Sequence, residues 1–184
     1  GKFSCEIALP EAKLWSPEEP NLYVCRVTFG EDVQEETFGI RMVSCTPENG
    51  FQINGKRVLL KGGCIHHDNG LLGACAYEFA EHRKVRLLLD AGYNAIRSAH
   101  NPCSKALLRA CDEMGMLVMD EYIDGWYIHK TKYDYADEIL DNYRKDLKDM
   151  VDKDYNHPSV IMYSTGNEVS ETAQKKGIAL TKSL

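Results

Sequence analysis

From residue 58 onward the chain alternates strand-like and helix-like runs, and this limits the fold more than any other feature of the sequence. Residues 58–65 form a nearly continuous strand-like run. Residues 78–91 place Val85, Leu88 and Leu89 at helical spacing and stop at Gly92. Residues 94–97 read as a short strand, 104–114 as a helix that stops at Gly115, and 116–119 as a strand. Residues 137–154 carry a charge-rich amphipathic helical pattern, 160–164 return to strand, and the run to Leu184 fits the start of another helix. Parallel strands cannot be joined by a tight turn; they need a crossover, usually a helix laid on the sheet. Successive strand–helix units with glycine at the helix ends therefore predict a parallel α/β sheet, either doubly wound or a (β/α)8 barrel. A whole barrel takes about 250 residues. The residues after 47 suffice for about half of one, so the barrel reading gives a first half.

The first 47 residues follow another pattern. Residues 22–29 alternate, with a proline-rich turn before them and Gly30 after, and 35–43 form a second strand-like run. Nothing there has helical spacing, which predicts the tail of an all-β module. Asn54-Gly55 then marks a type I′ hairpin turn, because that turn needs positive φ at both central positions.

A formal charge of −6 argues against a general nucleic-acid binder, which needs a basic surface to neutralise phosphates. No apolar run approaches the ~20 residues of a membrane span, so no membrane partner is expected. Seven cysteines cannot all pair within the chain, and none forms a CxxC. Reduced thiols in a cytoplasmic protein are the expectation.

The polar residues fall at the strand ends. The first strand runs into His66-His67-Asp68, the second into Arg97-Ser98-Ala99-His100-Asn101, the third into Asp120-Glu121 and the fourth into Asn167-Glu168. Catalytic groups of parallel α/β folds gather at the carboxyl ends of strands. A carboxylic acid at such a point can protonate a leaving oxygen, and an amide beside it can hold a substrate hydroxyl; glycoside cleavage needs two such carboxyls. Blander readings stand beside this one. Glu168 or Asp120-Glu121 could cap the next helix, the histidines could be structural hydrogen-bonders, and Arg97 could pair with Glu121 or Asp120. Tyr122, Trp126 and Tyr127 lie near the strand ends and could stack on sugar rings, whereas Tyr163, within a strand, reads as core. A His66–His67 metal pair is disfavoured because adjacent strand residues point to opposite faces.

Read together, these segments resemble glycoside hydrolase family 2, the β-galactosidase, β-glucuronidase and β-mannosidase group. The matching pieces, in order, begin with Leu14-Trp-Ser-Pro-Glu-Glu-Pro-Asn-Leu-Tyr23, Phe38-Gly-Ile-Arg41, Phe51-Gln-Ile-Asn-Gly-Lys56 and Gly63-Cys-Ile-His-His-Asp68. They continue with Asn94-Ala-Ile-Arg-Ser-Ala-His-Asn-Pro102, Cys111-Asp-Glu-Met-Gly115, Asp120-Glu121, Asn156-His-Pro158 and Gly166-Asn-Glu168. The stretch Asp120-Glu-Tyr-Ile-Asp-Gly-Trp126 is most similar to bacterial β-galactosidases. The resemblance implies that residues 1–47 are the final strands of an immunoglobulin-like sandwich. Residues 48–184 would then be the first half of a TIM (β/α)8 barrel, with the chain a fragment.

The resemblance also implies roles. Glu168 is the acid/base, Asn167 binds the sugar 2-hydroxyl, and His67, Arg97, His100 and Glu121 line the sugar subsite. The nucleophilic glutamate lies on a later strand, past Leu184, so the fragment itself is expected to be inactive. Some members hold Mg²⁺ with the glutamate matching Glu121, a histidine two residues on, and the acid/base; here that second position is Ile123, so no metal and no cofactor are expected. The substrate class is a terminal β-D-galactoside, cleaved with retention. β-Glucuronidase or β-mannosidase activity, a non-catalytic sugar-binding piece and a His/Glu metal hydrolase are the rival readings. Open barrel edges imply self-association.

Overall fold

The computed structural model describes residues 3–169. An all-β part comes first, with β1 (Tyr23–Phe29), β2 (Asp32–Phe38), β3 (Val43–Thr46), β4 (Gly50–Ile53) and β5 (Lys56–Arg57). It is followed by β6 (Gly62–His66), α1 (Glu78–Asp90), β7 (Ala95–Ala99), α2 (Lys105–Met114), β8 (Leu117–Glu121), α3 (Ile139–Asp154) and β9 (Val160–Ser164). β1 and β2 form an antiparallel pair, and β3, β4 and β5 a three-stranded antiparallel sheet. The β4–β5 turn has the predicted geometry, with φ of 51° at Asn54 and 77° at Gly55. No sheet packs against β1–β2 to make a sandwich among the described residues, and Phe29 and Val27 on that hairpin stay exposed.

The second part is a parallel sheet in the order β6-β7-β8-β9, as the alternation predicts. Period-2 alternation sends Ile65, Ile96, Val118 and Val160 to one face, where they meet Val85 of α1 and Leu107, Leu108 and Cys111 of α2. Leu108 and Val118 are fully buried. Each such side chain contributes about 1.5–3 kcal/mol through area removed from water. α2 starts where the Ser104 side chain accepts from the Leu107 N–H at 3.1 Å, an ordinary N-cap. α3 buries Ile139, Leu147 and Met150 against Tyr122 and Trp126.

The all-β part docks on the amino-terminal ends of these strands, away from the ends that carry the polar residues. Trp15 is completely buried, packs with Ile53, Ala95 and Leu117, and donates its indole N–H to the Asp112 carbonyl at 2.8 Å. Arg41 donates to the carbonyls of Pro158 and Val160 at the start of β9. Asp112 itself is buried and accepts from the Ser159 hydroxyl at 2.6 Å, with His157 Nδ1 at 2.5 Å.

Several boundaries depart from the sequence reading. The strand expected over 58–65 begins at Gly62, because the Asn94 side chain claims the backbone before it: its amide donates to the Leu59 carbonyl and its oxygen accepts from the Lys61 N–H. The strand expected over 35–43 splits, since residues 39–42 leave the β1–β2 hairpin to contact Trp15 and Pro158. β7 and β8 run two residues further than expected, so Asp120 and Glu121 are strand residues rather than a helix cap. Tyr163 is 42% exposed and not core. The helix expected toward Leu184 and the proposed capping role of Glu168 both involve residues past 169, outside the described residues. No helix among the described residues is long and apolar enough to cross a membrane.

Candidate active site

The face of the parallel sheet turned away from the helices carries the polar groups. Strand pairing lines up Cys64, Arg97, Met119 and Met162 as one row, with Glu121 and Ser164 paired in the next row toward the carboxyl ends. Asp120, one residue from Glu121, points to the helical side and accepts from the Cys103 N–H at 2.8 Å.

Glu121 is completely buried, and a buried carboxylate without partners costs several kcal/mol. It has three partners. Its Oε2 accepts from Arg97 Nε at 2.7 Å and from the Ser164 hydroxyl at 2.5 Å, while His100 Nδ1 lies 2.7 Å from Oε1. This hydrogen bond to Glu121 holds the Arg97 guanidinium above its already high ordinary pKa, so it is a permanent cation. Arg97 also donates from Nη2 to Asn167 Oδ1 at 3.1 Å. The Ala99–His100 peptide is cis.

Asn167 follows β9, and its amide orientation is set from both ends: the oxygen accepts from Arg97, and the nitrogen donates to Asp124 Oδ1 at 2.9 Å. The backbones join as well. Asn167 N donates to the Ile123 carbonyl at 3.1 Å and Gly125 N donates to the Asn167 carbonyl at 2.9 Å, so the loop after β8 is zipped to the segment bearing Glu168. Glu168 itself has φ of 46° and a side chain 72% exposed, and its Oε2 accepts from Lys130 Nζ at 2.6 Å. Lys130 Nζ also lies 2.6 Å from Asp124 Oδ1. The Lys130 ammonium is held above its ordinary pKa, by the bond to Asp124 first and then by that to Glu168. Desolvation pushes the Asp124 carboxyl up, but hydrogen bonds from Lys130 and Asn167 outweigh it and hold the group below the usual range.

Of the residues singled out in the sequence, Arg97, His100, Glu121 and Asn167 form one hydrogen-bonded cluster, and Glu168 joins it through Lys130 and Asp124. His67 is not in it; its Nε2 lies 3.4 Å from the Asn101 carbonyl. His66 comes closer, with its ring edge-on to that of His100 at 5.4 Å between centroids. Tyr122 and Trp126 are buried against α3 rather than open to a sugar; the Tyr122 hydroxyl donates to Asp146 and the Trp126 indole to the Thr165 carbonyl. Ser164, Asp124 and Lys130 were not singled out. The even spacing of Ser164 from Met162 on a strand ending in Asn-Glu could have revealed the first, whereas nothing local marks a lysine six residues past Asp124.

The residues at the Mg²⁺ positions implied by the resemblance do not fit a metal. Both Glu121 oxygens are taken by Arg97, Ser164 and His100, the Ile123 side chain offers no ligand atom, and an ammonium already occupies one oxygen of Glu168. A cation bound to Glu121 would have to displace one of these three donors.

Residues 46–184 match the TIM barrel domain of the glycosyl hydrolases family 2, and residues 2–41 match a further domain of glycosyl hydrolases family 2. The chain is 40% identical over 174 residues to β-galactosidase BoGH2A of Bacteroides ovatus, covering 92% of this chain and 20% of that protein. It is 32% identical over 185 residues to a β-glucuronidase of Streptococcus agalactiae, covering 87% of this chain and 29% of that protein. A solved structure of a family 2 glycosyl hydrolase from Bacteroides cellulosilyticus superposes with a TM-score of 0.84 at 48% identity, covering 93% of this chain and 23% of that one. The chain thus spans between about a fifth and a third of the length of these relatives. The parallel sheet with its helices is part of a TIM barrel domain, and the chain belongs to glycoside hydrolase family 2.

Proposed function

We propose that this chain supplies the acid/base side of a retaining exo-β-glycosidase site whose substrate is a terminal β-D-galactoside. The observation that carries the reading is the placement of Asn167-Glu168 at the carboxyl end of β9, with Asn167 fixed by Arg97 and Asp124 beside the buried Glu121. Glu168 is the proton donor to the glycosidic oxygen in the first step and takes a proton from water in the second. Asn167 keeps one amide hydrogen beyond its bond to Asp124, enough to hold the sugar 2-hydroxyl. Arg97, His100 and Glu121 line the subsite as a preset frame, and His67 borders it through the loop at Asn101. In a retaining enzyme the second carboxyl stands about 5–5.5 Å from the first. Glu121, wrapped by three donors, is a poor nucleophile, so that group comes from a later strand of the full-length protein. The 184-residue chain alone is then inactive. In the same reading, residues 1–47 close an immunoglobulin-like domain and residues 48–184 open the catalytic barrel.

The β-galactosidase among the relatives supports the galactoside, and the β-glucuronidase among them keeps a glucuronide as the second reading. The test is Glu168→Gln in the full-length protein, assayed on aryl and alkyl β-galactosides. Loss of a general acid should lower kcat/KM for the alkyl glycosides by roughly 10²–10⁴-fold. Unchanged turnover with both good and poor leaving groups would remove Glu168 from the chemistry. Cleavage of glucuronides with no action on galactosides would move the substrate to the second reading.

A further inference from the structure

We propose that Lys130 is the positioning residue of Glu168: its ammonium ties one carboxylate oxygen to Asp124 and so aims the other at the reacting bond. This rests on Glu168 being the acid/base. The need for such a tether is visible in the geometry. Glu168 lies past the end of β9, has a left-handed backbone and is 72% exposed, so packing among the described residues does not choose its rotamer. An acid that must meet a leaving oxygen at hydrogen-bond distance loses about 10²-fold in rate when displaced by 1 Å. Lys130 supplies the missing restraint with a 2.6 Å bond to Glu168 and a second 2.6 Å bond to Asp124, which is itself anchored to Asn167 at 2.9 Å. Lys130, Asp124, Asn167, Arg97 and Glu121 thus form an unbroken chain of hydrogen bonds from the exposed acid to the buried carboxylate.

The loop is built to seat this lysine. Gly125, with φ of 67°, has no side chain where the Lys130 stem passes; a Cβ there would lie 3.4 Å from Lys130 Cε and 3.1 Å from the Ile128 carbonyl oxygen. The backbone at Lys130 is fixed by Asp134, whose Oδ2 accepts from the N–H groups of Lys130 at 2.6 Å and Thr131 at 3.0 Å. Those backbone bonds, that from Thr131 foremost, draw the Asp134 carboxyl down to about 2, so the clamp is charged at neutral pH. The loop contacts Glu168 through the lysine side chain, while its backbone pairing to Asn167 sets where that side chain starts.

The test uses the full-length protein with Lys130→Met and Lys130→Arg, and a series of β-glycosides of the sugar it cleaves, from dinitrophenyl to methyl leaving groups. kcat/KM reports the first chemical step, in which a dinitrophenolate needs no proton and a methoxide needs one. Lys130→Met should cut kcat/KM for the methyl glycoside by roughly 10–100-fold. It should leave the dinitrophenyl glycoside within about twofold, with Lys130→Arg recovering most of the loss because its charge can reach both carboxylates. Equal losses on both substrates, or values within twofold of the parent on both, would overturn the positioning role. Glu168→Gln in the same series separates the two levels. If it shows the leaving-group pattern and Lys130→Met does not, only this inference fails. If neither shows it, or no β-glycoside of galactose, glucuronate or mannose is cleaved, the acid/base reading fails with it.

Discussion

At the scale of single residues, Glu121 is the group on which the site depends, because a completely buried carboxylate is tolerable only while its donors hold. Arg97 is the main one, and it also holds Asn167. Arg97→Met should therefore lower the stability of this chain by about 3 kcal/mol, the cost of leaving one charge of a buried pair unmatched. Lys in its place should recover little, since an ammonium cannot span Glu121 and Asn167 from one planar fork. Thermal unfolding of the two variants checks this; a loss below about 0.5 kcal/mol would mean that His100 and Ser164 suffice. Arg97, His100, Glu121, Asn167 and Glu168 were legible in the sequence because each falls at the end of a recognisable strand, where the parallel architecture gathers side chains. His66 and His67 were not separable that way. The strand ends at His66, and the next residue follows the loop, so alternation gives no orientation for it. Lys130 was invisible because its position depends on a loop that folds back 38 residues from the acid it meets.

At the scale of elements, the carboxyl end of α3 holds a charge cluster that should make stability depend on pH. Asp154 is buried, one of its oxygens bonds Lys153 at 2.5 Å, and the other has no hydrogen-bond partner among the described residues. Burial, with the nearby Asp120 carboxylate adding to it, pushes the Asp154 carboxyl up to about 7, against the pull of Lys153. Asp120 and Tyr163 face it, and burial and Asp154 likewise push the Tyr163 phenol up. The folded state then binds a proton that the unfolded chain releases near pH 4. The resulting stabilisation is full below that pH and is lost as pH rises toward and through about 7. Asp154→Asn should flatten the fall in melting temperature between pH 5 and 8; an unchanged slope would place the titration elsewhere. α2 offers a second element-scale test. A Cβ at Gly115, where the helix ends, would stand 2.1 Å from the Pro17 carbonyl oxygen, so the all-β part can dock only on a glycine. Gly115→Ala should cost at least about 2 kcal/mol and expose the Trp15 indole, seen as a red-shifted, quenchable emission. The helix and strand order was readable from periodicity, but the ends of β6 and β8 were set by Asn94 and by pairing with β9, which no local pattern encodes.

At the scale of the whole molecule, the parallel sheet has β6 and β9 as its edges among the described residues, and the face with Cys64, Arg97, Met119 and Met162 has no opposing wall there. Such edges template pairing with other chains. The 184-residue chain on its own should bind an apolar dye and show a concentration-dependent mass by light scattering. A monodisperse monomer without dye binding would contradict the exposed edges. The fold class was legible because four strand–helix units admit few topologies, and the family because short motifs recur in order; the sugar was not, since relatives named for β-galactosides and for β-glucuronides match the same stretch. The central claim is that Glu168 is the acid/base of a retaining site. Glu168→Ala in the full-length protein, given a dinitrophenyl β-galactoside and sodium azide, tests it most directly. Azide needs no general base and fits the space of the lost carboxylate, so turnover should rise and the product should be the β-galactosyl azide. No acceleration by azide, with free galactose released at the parent rate, would contradict the account.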